Sequence, residues 1–543
     1  MRLSNIFNFS ELKSTWRFAA FCRRFFRNTR PTKQKNKILV EFFNNSHLTL
    51  SLGFFSNVLA DHLNASLVSF SSSKKNKTLF LIRYFKTAFV YWSFNCRGHL
   101  NVSRMNENQR DQHKVICHYF WSKVKSRSDL RNFKWNDFQI GEPIYESVLR
   151  ALSVPTIDVL DTKQRNYIEL CLKSFVIWLD YFKKNNITAV VLSHGIYQYG
   201  IICEIAKILD IPVYAAQPTL LYLQKPDNKL IAPDFESFPE IFKTLSRKEQ
   251  EAGKKLAQAQ LERRLSGEVG VDNIYQVGSA FNSKNSNIPV LIKSDRFKVL
   301  IAAHCFFDNP HAYGGLPFDD FSDWFETLGV LSEETDYDWY IKTHPEFLPG
   351  NIEVIHKFIK QYPKLRLVPA TTSFHKLKKE GLNAVLTAYG TVGHELPLLG
   401  LTVVTSINNP HIAYDFNLHA KTKDEYCEIV KELPKIELKI NPDKVYEYYY
   451  LYHYVRYVDD LVYPSFNDAV AQIGLNGINS YKAFDCFLDS LTDERAEIIK
   501  NRFTWFIESK RKQFFVHEYN SRNTSTKKIT SDRLNDAFSE VLA

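Results

Sequence analysis

Apolar and polar positions along the chain fall into two series of strand-like and helix-like segments, joined by a polar stretch. In the first series, "NKILVEFFNNSH" (36–47) opens on a continuous apolar run, the pattern of a strand buried on both faces. "LTLSLGFFSNVLADHLNA" after it reads as an apolar helix and "SLVSFS" as a second strand, so the chain opens β-α-β and predicts a parallel sheet. Residues 75–165 are rich in aromatics and charge, lack a clear period, and read mainly as helices. Order returns in 167–186, a long amphipathic helix, followed by "ITAVVLSHG" (187–195) as a strand, "IYQYGIICEIAKILD" as a helix and "IPVYAAQP" as a strand. Short connections of this kind belong to a doubly wound fold. Residues 240–268 are charged and helical, and "NSKNSN" (282–287) reads as a linker.

The second series begins at "FKVLIAAH" (297–304). In "DDFSDWFETLGVLSEE", Phe321, Trp324, Phe325, Leu328 and Leu331 recur at helical spacing, with Asp319 or Asp320 as N-cap. "YDWYIKTHP" gives a strand with its exit turn, and "LRLVPA", "NAVLTAYG" and "LTVVTS" are short strands with helices between them. From about 430 the pattern turns helical. Tyr446, Tyr450, Tyr454 and Tyr457 repeat at roughly helical spacing, which suits a packed face better than a platform for stacking bases. The predicted architecture is α/β. It has a basic amphipathic arm (1–36), two Rossmann-like domains facing a crevice (37–285 and 296–430) and a helical extension (431–543).

Composition narrows the partners. A chain of 543 residues with 45% hydrophobic and 14% aromatic content has material for two cores and is not a disordered sequence. The 70 Lys and Arg against 59 Asp and Glu leave +11, which suits anionic ligands. Much of the excess lies in "WRFAAFCRRFFRNTRPTKQKNK" (16–37), which has no acidic residue. Its Trp16, Phe18, Phe21, Phe25 and Phe26 predict a helix that sinks an apolar face into an anionic membrane surface, with a solvated terminus as the alternative. No apolar run reaches the roughly 18–20 residues that span a bilayer, and arginines interrupt any signal-peptide core. The expected location is cytoplasmic, peripheral on a membrane surface. Eight scattered cysteines without a CxxC pair argue against zinc and against a disulfide framework, and no nucleic-acid-binding motif is visible.

Ligands of open α/β sheets bind beyond the carboxyl ends of strands, so strand exits are where chemistry is expected. His304, the pair Lys342 and His344 with Pro345, and the turn Gly390-Thr391-Val392-Gly393 all lie at such exits. The glycines permit close backbone approach, Thr391 adds a hydroxyl, and Lys342 and His344 offer donors to phosphate. Asn409 and His411, in "NNPHIAYDF", follow another strand and are candidate lining of the same pocket, or an ordinary polar loop. His194 exits a strand of the first series and is the candidate general base, with Glu41 and Asp308 as unranked alternatives. "DYD" (336–338) has the spacing of a metal-binding pair but precedes its strand, at the wrong end of the sheet, so no metal is expected.

"YIKTHPE" followed by "LTAYGTVGHELPLLGLTVVTS" resembles the C-terminal domain of GT-B fold glycosyltransferases of bacterial surface polysaccharide assembly, over roughly residues 297–430. The resemblance is to the capsule and O-antigen group with Kdo transferases, polysialyltransferases and CDP-glycerol glycerophosphotransferases. It implies that His344 and Pro345, then Thr391, Gly393 and Glu395, hold the nucleotide and phosphate of a donor sugar, CMP-linked in the Kdo and sialic acid branch of the group, without a further cofactor. It also implies a nucleotide-sugar donor on residues 296–430, a lipid-linked or oligosaccharide acceptor on residues 37–285, and a place on the inner face of the bacterial cytoplasmic membrane. Two departures stand out: His394 replaces a small or apolar residue, and Pro397 falls inside the following helix, which should start late or bend. A polyol-phosphate transferase and a non-catalytic scaffold are the rival functions.

Overall fold

Each strand series forms its own six-stranded sheet, and the two sheets have the same strand order. The computed structural model describes residues 9–26, 35–71, 78–157, 161–224, 235–272, 278–282, 288–344, 349–406 and 408–522. Pro345, residues 283–287 of the expected linker and residues 27–34 of the basic arm lie outside the described residues. The chain divides into a first unit (1–147, 159–233 and 457–519) and a second unit (148–158, 234–456 and 520–543).

The first sheet takes β1 (Asn36–Glu41), β2 (Ser66–Phe70) and β3 (Cys96–Leu100). A two-stranded hairpin of β4 (Lys134–Trp135) and β5 (Phe138–Gln139) stands apart, and β6 (Asn186–Leu192), β7 (Val213–Ala216) and β8 (Leu221–Gln224) complete the sheet in the order β3-β2-β1-β6-β7-β8. All neighbours pair in parallel except β7 with β8. The outer edge of β8 is covered by the chain near its end: Leu223 N–H donates to the Lys512 carbonyl and Phe514 N–H to that of Leu221. Ile38, Leu39 and Val40 are consecutive and buried, as a central strand covered on both faces requires. The edge strand β3 escapes the sequence pattern because "CRGHL" holds a glycine and an exposed Arg97.

α1 (Phe9–Phe25) corrects the expectation for the arm. Phe18 stacks on Phe484 with centroids 4.5 Å apart, and Phe21, Phe25 and Phe26 lie 5.9, 5.6 and 5.2 Å from Phe54 of α2 (Ser46–Leu63). Arg17 pairs with Asp485 and Asp489, each at 2.9 Å. Phe18 and Phe26 therefore belong to the core of the first unit, Phe21 and Phe25 are half-buried, and Trp16 is exposed. No helix among the described residues is long and apolar enough to cross a membrane. The expected helical extension is divided as well: residues 431–456 build the second unit and 457–519 the first.

In the second unit β9 (Lys298–Ala302), β10 (Asp338–Lys342), β11 (Leu365–Leu367), β12 (Ala384–Leu386), β13 (Thr402–Ser406) and β14 (Leu418–Ala420) run in the order β11-β10-β9-β12-β13-β14, with every pair parallel. Alternate residues serve two cores. Val299, Ile301, Trp339, Ile341, Leu386 and Val404 pack on one face, and Leu300, Tyr340, Val385 and Val403 on the other. Asp320 is the N-cap of the helix Phe321–Glu334, accepting from Asp323 N–H at 2.8 Å. Of the tyrosines at helical spacing, Tyr446 and Tyr450 lie on the helix Pro442–Tyr450, Tyr454 in the π-helical turn Leu451–Val455, and Tyr457 beyond it in the first unit. Tyr450 lies so close to Gly253 that a Cβ there would sit 2.5 Å from its ring, and Tyr449 and Tyr454 both donate to Asp272.

Candidate functional site

A doubly wound sheet reverses direction beside its first strand, and the loops leaving that strand and its new neighbour open a crevice at their carboxyl ends. In the second unit the reversal lies between β9 and β12, so the crevice is framed by His304 after β9 and Thr387 to Gly390 after β12. His304 holds these loops together. Its Nε2 accepts from Ala388 N–H at 3.2 Å, and Tyr389 N–H lies 3.5 Å away. Thr387 Oγ1 is 3.0 Å from the same nitrogen and accepts from Gly390 N–H at 3.2 Å, so its hydroxyl proton points to His304. With Nε2 occupied as an acceptor, the ring proton sits on Nδ1, which has no partner among the described residues. The ring is stacked on Phe321 and flanked by Tyr389. Burial, with a smaller contribution from His344, pushes its pKa down to about 4, so it stays neutral and keeps one N–H to offer.

The Gly390-Thr391-Val392-Gly393 turn adjoins this ring: a Cβ on Gly390 would lie 3.7 Å from His304 Cε1. Gly393 N–H is spent on the Gly390 carbonyl, whereas the amides of Thr391 and Val392 have no partner among the described residues and the Thr391 side chain is exposed. The helix that follows is only Val392–Glu395, giving way at Pro397 to a 3-10 turn, so its dipole adds little. His344 is exposed after β10, and its charge and that of exposed Asp308 both bear on His304.

Other expected site residues face inward. Lys342 is buried, donates to the Ala370 carbonyl and lies 5.7 Å from the Phe374 ring. Glu395 is buried in an ion pair with Arg264, whose Nη1 also donates to the Val271 carbonyl at 3.2 Å. Asn409 donates to the Ser406 carbonyl and accepts from His411 N–H at 2.9 Å, shaping a buried turn. His411 Nε2 is 3.1 Å from His394 Nδ1, and a Cβ on Gly393 would lie 2.5 Å from the His411 ring, so that glycine serves packing. Asp336 pairs with Arg296, and Asp338 is buried beside Ser294, at the amino end of the sheet.

Lys342 has a measurable consequence. Burial lowers its pKa from 10.5 to about 8. Between those values the unfolded chain binds the proton and the folded one does not, so this residue's penalty, complete below the lower value, is relieved as pH rises. The unfolding free energy of the wild type relative to Lys342→Met should therefore increase by roughly 3 kcal/mol from pH 7.5 to 10.5 in urea titrations. An unchanged difference would mean the ammonium is solvated.

The first unit reverses between β1 and β6, and there a carboxylate makes the link. Fully buried Glu41 accepts from Ser193 N–H at 2.6 Å and Ser193 Oγ at 2.7 Å, while its other oxygen has no partner among the described residues. His194 follows directly, half-buried, with its ring 5.8 Å from Tyr199 and its Nδ1 buried without a partner. Sequence reasoning named Glu41 only as an alternative base and missed Thr387, Ser193 and Arg264. A hydroxyl at a strand exit was the available signal for the first two; nothing local pairs Arg264 with a glutamate 131 positions away.

Two doubly wound units in one chain, each with a switch point at its carboxyl edge, define the class: an α/β protein with two Rossmann-like units. No family model matches the chain and no curated protein matches it. Among solved structures, Thermosulfurimonas dismutans KpsC, beta Kdo 2,4 transferase, is 12% identical over 50% of this chain and 81% of its own, with a TM-score of 0.30. The UDP-GlcNAc 2-epimerase from Neisseria meningitidis bound to UDP-GlcNAc is 11% identical over 77% of this chain and 98% of its own, at 0.22. Acinetobacter baumannii MurG is 9% identical over 77% and 95%, also at 0.22. With superpositions this loose, none of these likenesses bears on what this chain binds.

Proposed function

We propose that the protein is a glycosyltransferase that moves a sugar from a nucleotide-sugar donor to a growing bacterial surface polysaccharide, capsule or O-antigen. The observation that carries this reading is the contrast between the two switch points. In the second unit His304 offers a neutral N–H beside the amides of Thr391 and Val392, which have no partner among the described residues, and the Thr391 hydroxyl, with His344 and the exposed Asp308 near enough to act on the imidazole. In the first unit the corresponding position holds the carboxylate of Glu41, which would repel phosphate. The diphosphate therefore belongs to the second unit. As the bond to the sugar breaks, negative charge grows on the leaving diphosphate, and donors already held in place stabilise it without reorganising. His194 is the proposed base for the acceptor hydroxyl, and a lipid-linked or oligosaccharide acceptor is the proposed partner.

Calorimetric titration of CMP, CDP, UDP and GDP into the full chain should find one nucleotide that binds. Incubation with the matching nucleotide-sugars and an oligosaccharide acceptor should then add a glycosyl mass without phosphorus. An increment containing phosphorus would replace this reading by the polyol-phosphate transferase, and binding of none of the four would replace it by the scaffold.

A further inference from the structure

With its inner aromatics committed to the core, α1 turns a second stripe outward. Phe9, Leu12 and Trp16 are 86%, 38% and 64% exposed, at spacings that place them on one side of the helix. Arg23, one further heptad on, continues the stripe, and its guanidinium lies 4.9 Å over the ring of Trp92 on α3 (Thr78–Ser93). Arg97 covers Trp92 at 5.0 Å, and Trp92 is itself 44% exposed. Trp16 and Trp92 are the tryptophans among the chain's large exposed hydrophobics, so the exposed indoles of the described residues are concentrated on these two helices. Single exposed apolar residues need no explanation, but a stripe with two tryptophans does.

The charge beside the stripe says what would cover it. Glu11 is paired with Lys86, and Asp485 and Asp489 with Arg17, whereas Lys13, Arg23 and Arg24 have no ion pair among the described residues. In sequence the excess continues through Arg27, Arg30 and Lys33 with no acid. Indole rings prefer the headgroup level of a bilayer, and basic side chains flanking them meet lipid phosphates. We infer that the outward stripe Phe9–Leu12–Trp16 of α1, with Trp92 and the Lys13, Arg23 and Arg24 cations, docks the protein on an anionic lipid bilayer. The contact is shallow: the same helix holds the core with its other side, so it rests on the surface and does not leave the fold to insert. This inference does not depend on the proposed reaction.

The test is cosedimentation of the full chain with vesicles of phosphatidylcholine alone or of phosphatidylcholine with a quarter phosphatidylglycerol, at 0.1 M salt. The wild type should bind the anionic vesicles and be released by salt. Phe9→Ser with Trp16→Ser should lower partitioning by about tenfold, and Lys13→Glu with Arg24→Glu should do so with both aromatics intact. Both pairs of positions are exposed, so the thermal midpoint should not move. Equal binding of the Phe9 and Trp16 double variant, equal binding to neutral vesicles, or no binding by the wild type would each overturn the inference. If the wild type instead forms a concentration-dependent dimer that the aromatic double variant abolishes, the stripe is an interface between copies of the chain.

Discussion

Glu395→Ala is expected to cost about 3–5 kcal/mol of stability, because it removes the carboxylate that pairs with the buried Arg264 guanidinium. The Val271 carbonyl accepts from Arg264 Nη1 and offsets no charge. Removing both ends should be much milder: Arg264→Met with Glu395→Leu fills similar volume and buries no ion, so its urea midpoint should return close to that of the wild type. The same variants decide what Glu395 does. The resemblance implies a donor-binding glutamate, whereas the geometry makes it a buried strut under the Thr391 turn. If Glu395→Ala keeps its stability and loses nucleotide affinity, the strut is wrong and the glutamate touches the ligand.

His304 should separate holding the loop from holding the ligand. His304→Gln places a carbonyl oxygen where Nε2 accepts from the loop amides but removes the Nδ1–H, so folding should survive. Nucleotide affinity should fall by about 10- to 150-fold, the worth of one hydrogen bond to a charged phosphate. His304→Ala loses both functions: it should show the same loss of affinity and a further cost of about 1–3 kcal/mol in stability for stranding buried backbone donors. Because burial, and less so His344, holds the imidazole pKa near 4, wild-type affinity should show no titration from this residue between pH 5.5 and 8.5. Calorimetry of the three proteins with the nucleotide that binds best checks all of this. Unaltered affinity in His304→Gln would move the phosphate site away from the switch point.

The sequence by itself determined the strand and helix series, the two doubly wound sheets and the strand exits where ligands gather. Each of these is written in local alternation and in the order of elements. "KVLIA" is apolar at consecutive positions because it is covered on both sides, and Tyr446 and Tyr450 share a face of one helix on which Tyr450 packs against Gly253. What only the tertiary structure decided is direction. A histidine at a strand end does not reveal whether it faces ligand or core. Contact with the loop after β12 turned His304 outward through its tautomer, while contacts with His394 and Asn409 turned His411 inward. The same holds for α1, whose aromatic residues read as one membrane face until Phe54, Phe484 and Phe487 claimed one side of the helix. Local sequence sets which residues share a side of an element; which side is buried depends on partners hundreds of residues away, and no local pattern records them.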